Sequence, residues 1–308
     1  MVPPRLERSI LVVPASSARM IEKALASGAD AVLVDLEDAV PPEHKAPSRA
    51  NVVRALQDLD WTGRVCMFRI NALDTPWAYG DLVEILESAG TVVDCVMVPK
   101  VGRIEDVTFV ATLLDQLELA AGGGRRIGIE AQIETALGVV NVDLIAAASD
   151  RLEALVFGPG DYAASMGMPS TAIGVPDEWD ARYPGHRWHY PMHRIVVAAR
   201  ARGLRAQDGP FAGVRDLEGF RRSCEVARAM GFDGKWCVHP AQVPIANEVF
   251  SPTEAEVIWA RRVLEAYEQA RRDGRGVLAV DGRMVDATSV RMAQAVVHKA
   301  RQIRDVGA

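Results

Sequence analysis

The sequence predicts an α/β fold, a TIM-type (β/α)8 barrel with a C-terminal helical extension. Three observations carry this expectation. Eight short apolar runs, each closed by a polar or proline-marked turn, lie in the first 240 residues, and a helical pattern follows each one. The runs are nearly continuous instead of alternating, as in a parallel sheet covered on both faces. The units recur about every 30 residues, enough for a strand, a crossover helix and two turns, and a doubly wound sheet rarely holds one pattern for eight strands.

The first run is residues 9–14, followed by PASSARMIEKA. There Ser16 and Ser17 open a helix whose free amides could hold an anion, with Arg19 and Lys23 one turn apart adding positive charge. A plain helix cap fits the same residues, and the glycines of a P-loop are missing. The second run, 31–38, ends in Asp35, Glu37 and Asp38. The third, 65–71, ends in Arg69 and Asn71, and Thr75 with Pro76 is expected to open its helix. An unpaired guanidinium inside an apolar run is costly. Arg69 is therefore expected to clamp a substrate carboxylate, a carbonyl that becomes an oxyanion, or Glu37 and Asp38. The fourth run, 95–100, ends in Lys100, which is read as an ion-pair partner of acids such as Glu37, not as an amine catalyst.

The fifth and sixth runs, 127–134 and 154–161, each end with a lone carboxylate, Glu134 and Asp161. Parallel neighbours put these ends side by side, where the two acids would repel unless a cation lay between them. Mg2+ suits one or two carboxylates plus substrate oxygens; helix capping is the competing reading. Residues 162–190, rich in Pro, Gly, Trp and His, form a long excursion and a lid or wall candidate. The seventh run, 204–210, brings Gln207 and Asp208, and the eighth, 235–240, brings Val238 and His239 to its end. Seven of the eight strand ends thus carry an ionisable group on the face where barrels of this type do their chemistry.

Ser251, Pro252 and Glu254 read as a capping box ahead of a charged helix reaching about Arg272; GRGVLAVDGRMVD and a final helix, 287 to about 304, follow. No flexible linker precedes this tail, so the expected organisation is a barrel over 1–250 and an extension over 251–308. A net charge of −6 and a pI near 5.6 give no footprint for nucleic acid or a membrane surface. Cys66, Cys95, Cys224 and Cys237 form no CxxC pair and read as core residues of a reducing compartment. No apolar stretch reaches about 18 residues and MVPPRLERS lacks a signal-peptide core, so a cytoplasmic protein is expected.

Taken together, RSILVVPASSARMIEKA, DLEDAVPPEHK, FRIN, VPK, QIETALGV, FGPGDYAASMG and GKWCVHPAQV resemble the citrate lyase beta-subunit-like superfamily of acyl-CoA lyases. Within it, PSTAIGVP, AQDGPF and GKWCVHPAQVPIANEVFSPTE are most similar to the malyl-CoA and β-methylmalyl-CoA lyases. The resemblance spans essentially the whole chain. It implies Glu134 and Asp161 as Mg2+ ligands, with Mn2+ an alternative ion, and Arg69 as the group steadying the enolate and substrate, with Glu37 and Asp38 beside it. It implies coenzyme A, carried as part of an acyl-CoA substrate, against Ser16, Ser17, Arg19, Lys23, Val238 and His239. Ser17 stands where lyases of this kind tend to carry arginine. The resemblance further implies a 2-oxo acid as the second small molecule. It also implies a homotrimer or hexamer in which Asp286 of the tail serves the adjacent subunit's site as acid or base. The implied reaction is reversible C–C cleavage of malyl-CoA or β-methylmalyl-CoA to glyoxylate plus acetyl-CoA or propionyl-CoA. Citramalyl-CoA cleavage to pyruvate and malyl-CoA thioester hydrolysis stand as alternatives. A non-catalytic lyase subunit is disfavoured by the intact set Glu134, Asp161, Arg69 and Asp286.

Overall fold

The computed structural model describes residues 5–183, 185–274 and 276–306. Eight parallel strands close a barrel in chain order: β1 (Ser9–Pro14), β2 (Ala31–Asp35), β3 (Val65–Arg69), β4 (Cys95–Val98), β5 (Gly128–Ile133), β6 (Leu152–Phe157), β7 (Arg205–Asp208) and β8 (Gly234–Cys237), with β8 pairing back to β1. Around it run α1 (Ala18–Leu25), α2 (Lys45–Asp58), α3 (Ala78–Ala89), α4 (Ile104–Ala120), α5 (Ala136–Ile145), α6 (Pro159–Ser165), α7 (Glu178–Arg182), α8 (His189–Arg202), α9 (Leu217–Met230) and α10 (Val243–Val249). Alternation along the strands points Ile10, Leu33, Met67, Met97, Val156 and Trp236 into the barrel, where they form one buried cluster.

Several boundaries differ from expectation for local physical reasons. β2 stops at Asp35 because its carboxylate accepts from the backbone N–H of Glu37 at 2.9 Å and of Ala39 at 3.1 Å, turning the chain. β6 stops at Phe157, and Asp161 stands in the first turn of α6 behind Pro159. α3 begins at Ala78, not at Pro76, because Thr75 first turns back onto the carbonyl of Ala72 with its N–H at 3.0 Å and its hydroxyl at 2.6 Å.

The 162–190 excursion carries α7 and walls a cavity of about 430 Å3, whose lining includes Val175, Trp188, Met192, Asp208 and Lys235. Because Gln207 and Trp236 point inward, Asp208 and Lys235 must face the helices, so this cavity lies on the outer side of the sheet. All four cysteines are buried and unbridged. Among the described residues no helix is long and apolar enough to cross a membrane.

The chain divides into two compact units after Glu248. The second holds α11 (Glu254–Arg272), β9 (Leu278–Val280), β10 (Arg283–Val285) and α12 (Ala287–Val306). Its first helix is capped by Thr253, not by Ser251: the Thr253 hydroxyl accepts from Glu256 N–H at 3.2 Å and Glu256 Oε2 accepts from Thr253 N–H at 2.6 Å. The core of this unit is Ala260, Val263, Val280, Val285, Ala293 and Val297. Asp281 and Gly282 take φ of 49° and 76°, the mirror-image turn that joins a tight hairpin. Gly282→Ala puts a Cβ on that left-handed backbone. It should lower the unfolding free energy of this unit by about 1 kcal/mol in a denaturant titration; an unchanged midpoint would contradict the turn geometry.

Candidate active site at the barrel mouth

The C-terminal mouth is organised by a guanidinium. Arg69 is the last residue of β3, in register with Asp35 on β2. Its Nε and Nη2 donate to the two Asp35 oxygens at 2.7 Å each, a bidentate pair buried on both sides. Nη1 lies 2.8 Å from Glu37 Oε2, outside hydrogen-bond geometry, and donates to Asp38 Oδ2 at 3.5 Å and Gln132 Oε1 at 3.3 Å. The guanidinium lies over the Trp236 ring at 5.4 Å. Burial works to raise the Asp35 carboxyl, but Arg69 and the two backbone donors outweigh it and hold the group below the usual carboxylate range. Burial likewise opposes the Arg69 charge, and Asp35, Glu37 and Glu134 more than restore it.

Lys100 is the second cation. It follows β4 with φ of 52°, a left-handed conformation a lysine seldom takes. There its backbone N–H donates to Glu134 Oε1 at 2.9 Å while its ammonium pairs with Glu37 and lies 3.6 Å from Asp38 and 3.7 Å from Asp161. Lys100 is thus the ion-pair partner of Glu37 that its sequence position implied. Gln132, two residues before Glu134 on the same face of β5, donates to Glu134 Oε2 at 2.6 Å. Gly158 is required opposite: a Cβ there would collide with the Glu134 carboxylate.

This crowding of acids shows in their protonation. Burial pushes the Glu134 carboxyl up to about 8 against the pull of Arg69, and Asp161 and Glu37 add to the push. Glu37 is raised to about 7, first by burial and then by Asp38, against Arg69 and Lys100. Lys45 holds the Glu37 turn from behind, donating to the carbonyls of Leu36 at 3.2 Å and Glu37 at 2.9 Å and to Asn71 Oδ1 at 2.6 Å.

The structure therefore brings Glu37, Asp38, Arg69, Glu134 and Asp161 together. Asp35 and Gln132 were expected at these strand ends but without a role, and Gly158 was not expected there. The role of Asp35 could have been found from its register with a buried arginine on the next strand; nothing local marked Gly158. Ser16, Arg19 and Lys23 are exposed and Ser17 half-buried at the end of β1, where Ser17 precedes α1 without a side-chain cap. Val238 and His239 end the neighbouring β8, with the His239 ring nitrogen accepting from Ala241 N–H at 3.2 Å. Asp286, in the second unit, caps α12 through the N–H groups of Thr288 and Ser289 at 2.9 Å. The Ser289 N–H and hydroxyl hold its carboxyl below the ordinary range.

The sequence profile of the HpcH/HpaI aldolase/citrate lyase family matches residues 8–240. The chain belongs to that family. An L-malyl-CoA/beta-methylmalyl-CoA lyase of Rhodobacter capsulatus is 41% identical, covering 98% of this chain and 97% of the relative. A (3S)-malyl-CoA thioesterase of Cereibacter sphaeroides is 38% identical, covering 98% and 97%. The structure of CitE from Mycobacterium tuberculosis with magnesium, acetoacetate and coenzyme A matches with a TM-score of 0.74 and 31% identity, covering 96% of this chain and 98% of that one. As a member of this aldolase/citrate lyase family, the protein is a carbon–carbon lyase whose barrel is shared with citrate lyase beta subunits.

The pinned guanidinium generates a stability prediction. Asp35→Asn removes the bidentate partner of a buried charge and should cost about 3–5 kcal/mol in chemical denaturation. Asp38→Asn, at an exposed carboxylate, should cost less than about 1 kcal/mol. Equal effects would contradict the assignment of Asp35 as the anchor.

Proposed function

We propose that this lyase cleaves malyl-CoA or β-methylmalyl-CoA, reversibly and with a divalent cation, to glyoxylate and acetyl-CoA or propionyl-CoA. One observation carries the reading. Five carboxylates, Asp35, Glu37, Asp38, Glu134 and Asp161, share the mouth with two cations, Arg69 and Lys100, leaving three surplus negative charges when all are ionised. Among the described residues no three His, Cys, Asp or Glu side chains form a ready metal cage. Two carboxylates, Glu134 and Asp161, are nevertheless what Mg2+ accepts when substrate oxygens and water complete its shell. Mn2+ would fit the same donors. The mycobacterial relative's complex with magnesium and coenzyme A supports the same reading.

A divalent ion held by Glu134 and Asp161 would supply Lewis acidity to the substrate's carboxylate and the adjacent hydroxyl. Glu37, with its carboxyl near 7, is suited to take the hydroxyl proton. Breaking the bond between the hydroxyl carbon and its CH2 or CH(CH3) neighbour gives the aldehyde of glyoxylate and an acyl-CoA enolate. Arg69, fixed by Asp35, is positioned to hold the oxyanion without reorganising. The Asp286 carboxylate of an adjacent subunit removes the α-carbon proton in condensation, and in cleavage relays a proton from solvent to the enolate carbon. Ser16, Ser17, Arg19 and Lys23 at the end of β1, with Val238 and His239 at the end of neighbouring β8, would take the coenzyme, the cations meeting its phosphates. This scheme needs a homo-oligomer, a trimer or hexamer.

The 38% identical thioesterase favours a second reading in which water attacks the thioester. Incubating malyl-CoA, β-methylmalyl-CoA and citramalyl-CoA with the protein, with Mg2+ or EDTA, separates the readings. Glyoxylate and the matching acyl-CoA should appear with Mg2+ only, and Glu134→Gln should lower kcat by roughly 10^3-fold or more. Free CoA and malate without a 2-oxo acid would replace the lyase with the thioesterase; pyruvate from citramalyl-CoA alone would change the substrate. Mixed oligomers of Glu134→Ala and Asp286→Ala subunits should regain part of the activity lost in each, and no recovery in verified mixtures would remove Asp286 from the neighbouring site.

A further inference from the structure

A second buried charge cluster lies at the opposite end of the barrel, and the reaction proposed above does not use it. Glu7 precedes β1, Asp94 precedes β4, Glu130 is on β5 and Glu153 on β6, all four buried, with Glu130 fully so. Arg205 on β7 ties three of them: Nε to Glu7 Oε2 at 2.8 Å, Nη2 to Glu130 Oε1 at 3.2 Å and to Glu153 Oε2 at 3.0 Å. Arg5 reaches Glu153 Oε2 at 2.7 Å and also pairs with Asp94, as does Arg125. Among the described residues, Cys95, whose thiol lies 3.5 Å from Glu153 Oε2, and Gln207, whose amide donates to Glu7 Oε2 at 3.1 Å, also face in.

Two features of this floor point to a missing positive charge. Among the described residues, four carboxylates meet three guanidiniums, so full ionisation leaves one buried negative charge unbalanced. Three buried acceptor atoms, Glu7 Oε1, Glu130 Oε2 and Gln207 Oε1, also have no donor. Buried acceptors of this kind are costly, and a cluster of them with one surplus charge is answered by one hydrogen.

We propose that Glu130 is a carboxylic acid at neutral pH, holding a proton on the donorless Oε2, so that the barrel floor is a buried proton-binding site. Burial, reinforced by Glu7, moves the Glu130 carboxyl well above the carboxylate range in the same direction. Glu130 is chosen over Glu153 because Glu153 is contacted by two guanidiniums whereas Glu130 has Arg205 alone. The proton turns the orphaned Glu130 Oε2 from an acceptor into a donor and removes the charge imbalance among the described residues.

Infrared difference spectroscopy in H2O and D2O tests this directly. At pH 7 the wild-type-minus-Glu130→Gln difference spectrum, in which the bands of the raised mouth acids Glu37 and Glu134 cancel, should show a protonated-carboxyl C=O stretch, since Glu130→Gln supplies the same shape with a permanent N–H donor. Glu7→Gln removes the surplus charge by another route and should lose the band as well. Stability adds a second readout. A carboxyl that stays protonated in the folded state binds more protons folded than unfolded above about pH 4, so its contribution declines as pH rises toward its folded value. The Tm of wild type relative to Glu130→Gln should therefore fall with rising pH, on the order of 2 °C per pH unit. No acid band in that difference spectrum, survival of that same band in Glu7→Gln, or a Glu130→Gln protein that does not fold would overturn the proposal.

Discussion

The mouth of this barrel depends on the buried pair between Arg69 and Asp35. A guanidinium cannot shed its charge, so once the sequence places one at the end of an apolar strand, the neighbours must neutralise it. Asp35 does so through both oxygens, in register across adjacent strands, and in the same stroke turns the chain through the N–H groups of Glu37 and Ala39. That turn delivers Glu37 to the other side of the guanidinium and leaves Asp38 facing Lys100. One ion pair thus sets the orientation of the charge-stabilising group and the position of two acids.

The surplus of negative charge around that pair is what gives the site its character. Glu134 is held by an amide donor, a backbone N–H and the absence of a side chain at Gly158, not by a salt bridge of its own, and its carboxyl sits near 8. A buried carboxylate left in this condition is poised for a cation. With every acid ionised, the described residues would leave charge imbalance at both ends of the barrel: three negative charges at the mouth, open to solvent through Asp38 and Asp161, and one at the sealed floor. The open end suits an exchangeable dication and substrate, and the sealed end suits a proton.

Most of the fold was legible because a parallel barrel repeats one signal eight times: buried strand, polar end, helix. The strand ends were less legible than the strands. Asp35 and Glu37 lie two residues apart in one run, and only the local hydrogen bonds decide that the first is the anchor and the second the acid shared by Arg69 and Lys100. Gln132 and Gly158 act through the register of β5 and β6, which no single run contains. The hairpin of β9 and β10 was written in LAV-DG-RMV, but three-residue strands fall below what alternation can distinguish from a loop. The proposed metal pair Glu134 and Asp161 was expected from two neighbouring strand ends, although Asp161 stands on the first turn of a helix, not on the strand itself.

The central claim, that the mouth carries an excess of carboxylate waiting for a divalent cation, is tested most directly by calorimetric titration of Mg2+ into metal-free protein across the range from below 7 to above 8 where Glu37 and Glu134 titrate. Two buffers of different ionisation enthalpy report the proton count. Because a ligand carboxyl must be ionised to bind, protons should be released at the lower pH, affinity should rise with pH and level off above about 8, and Glu134→Gln should abolish both binding and proton release. Binding that is independent of pH, or that survives in Glu134→Gln with no proton released, would contradict the account.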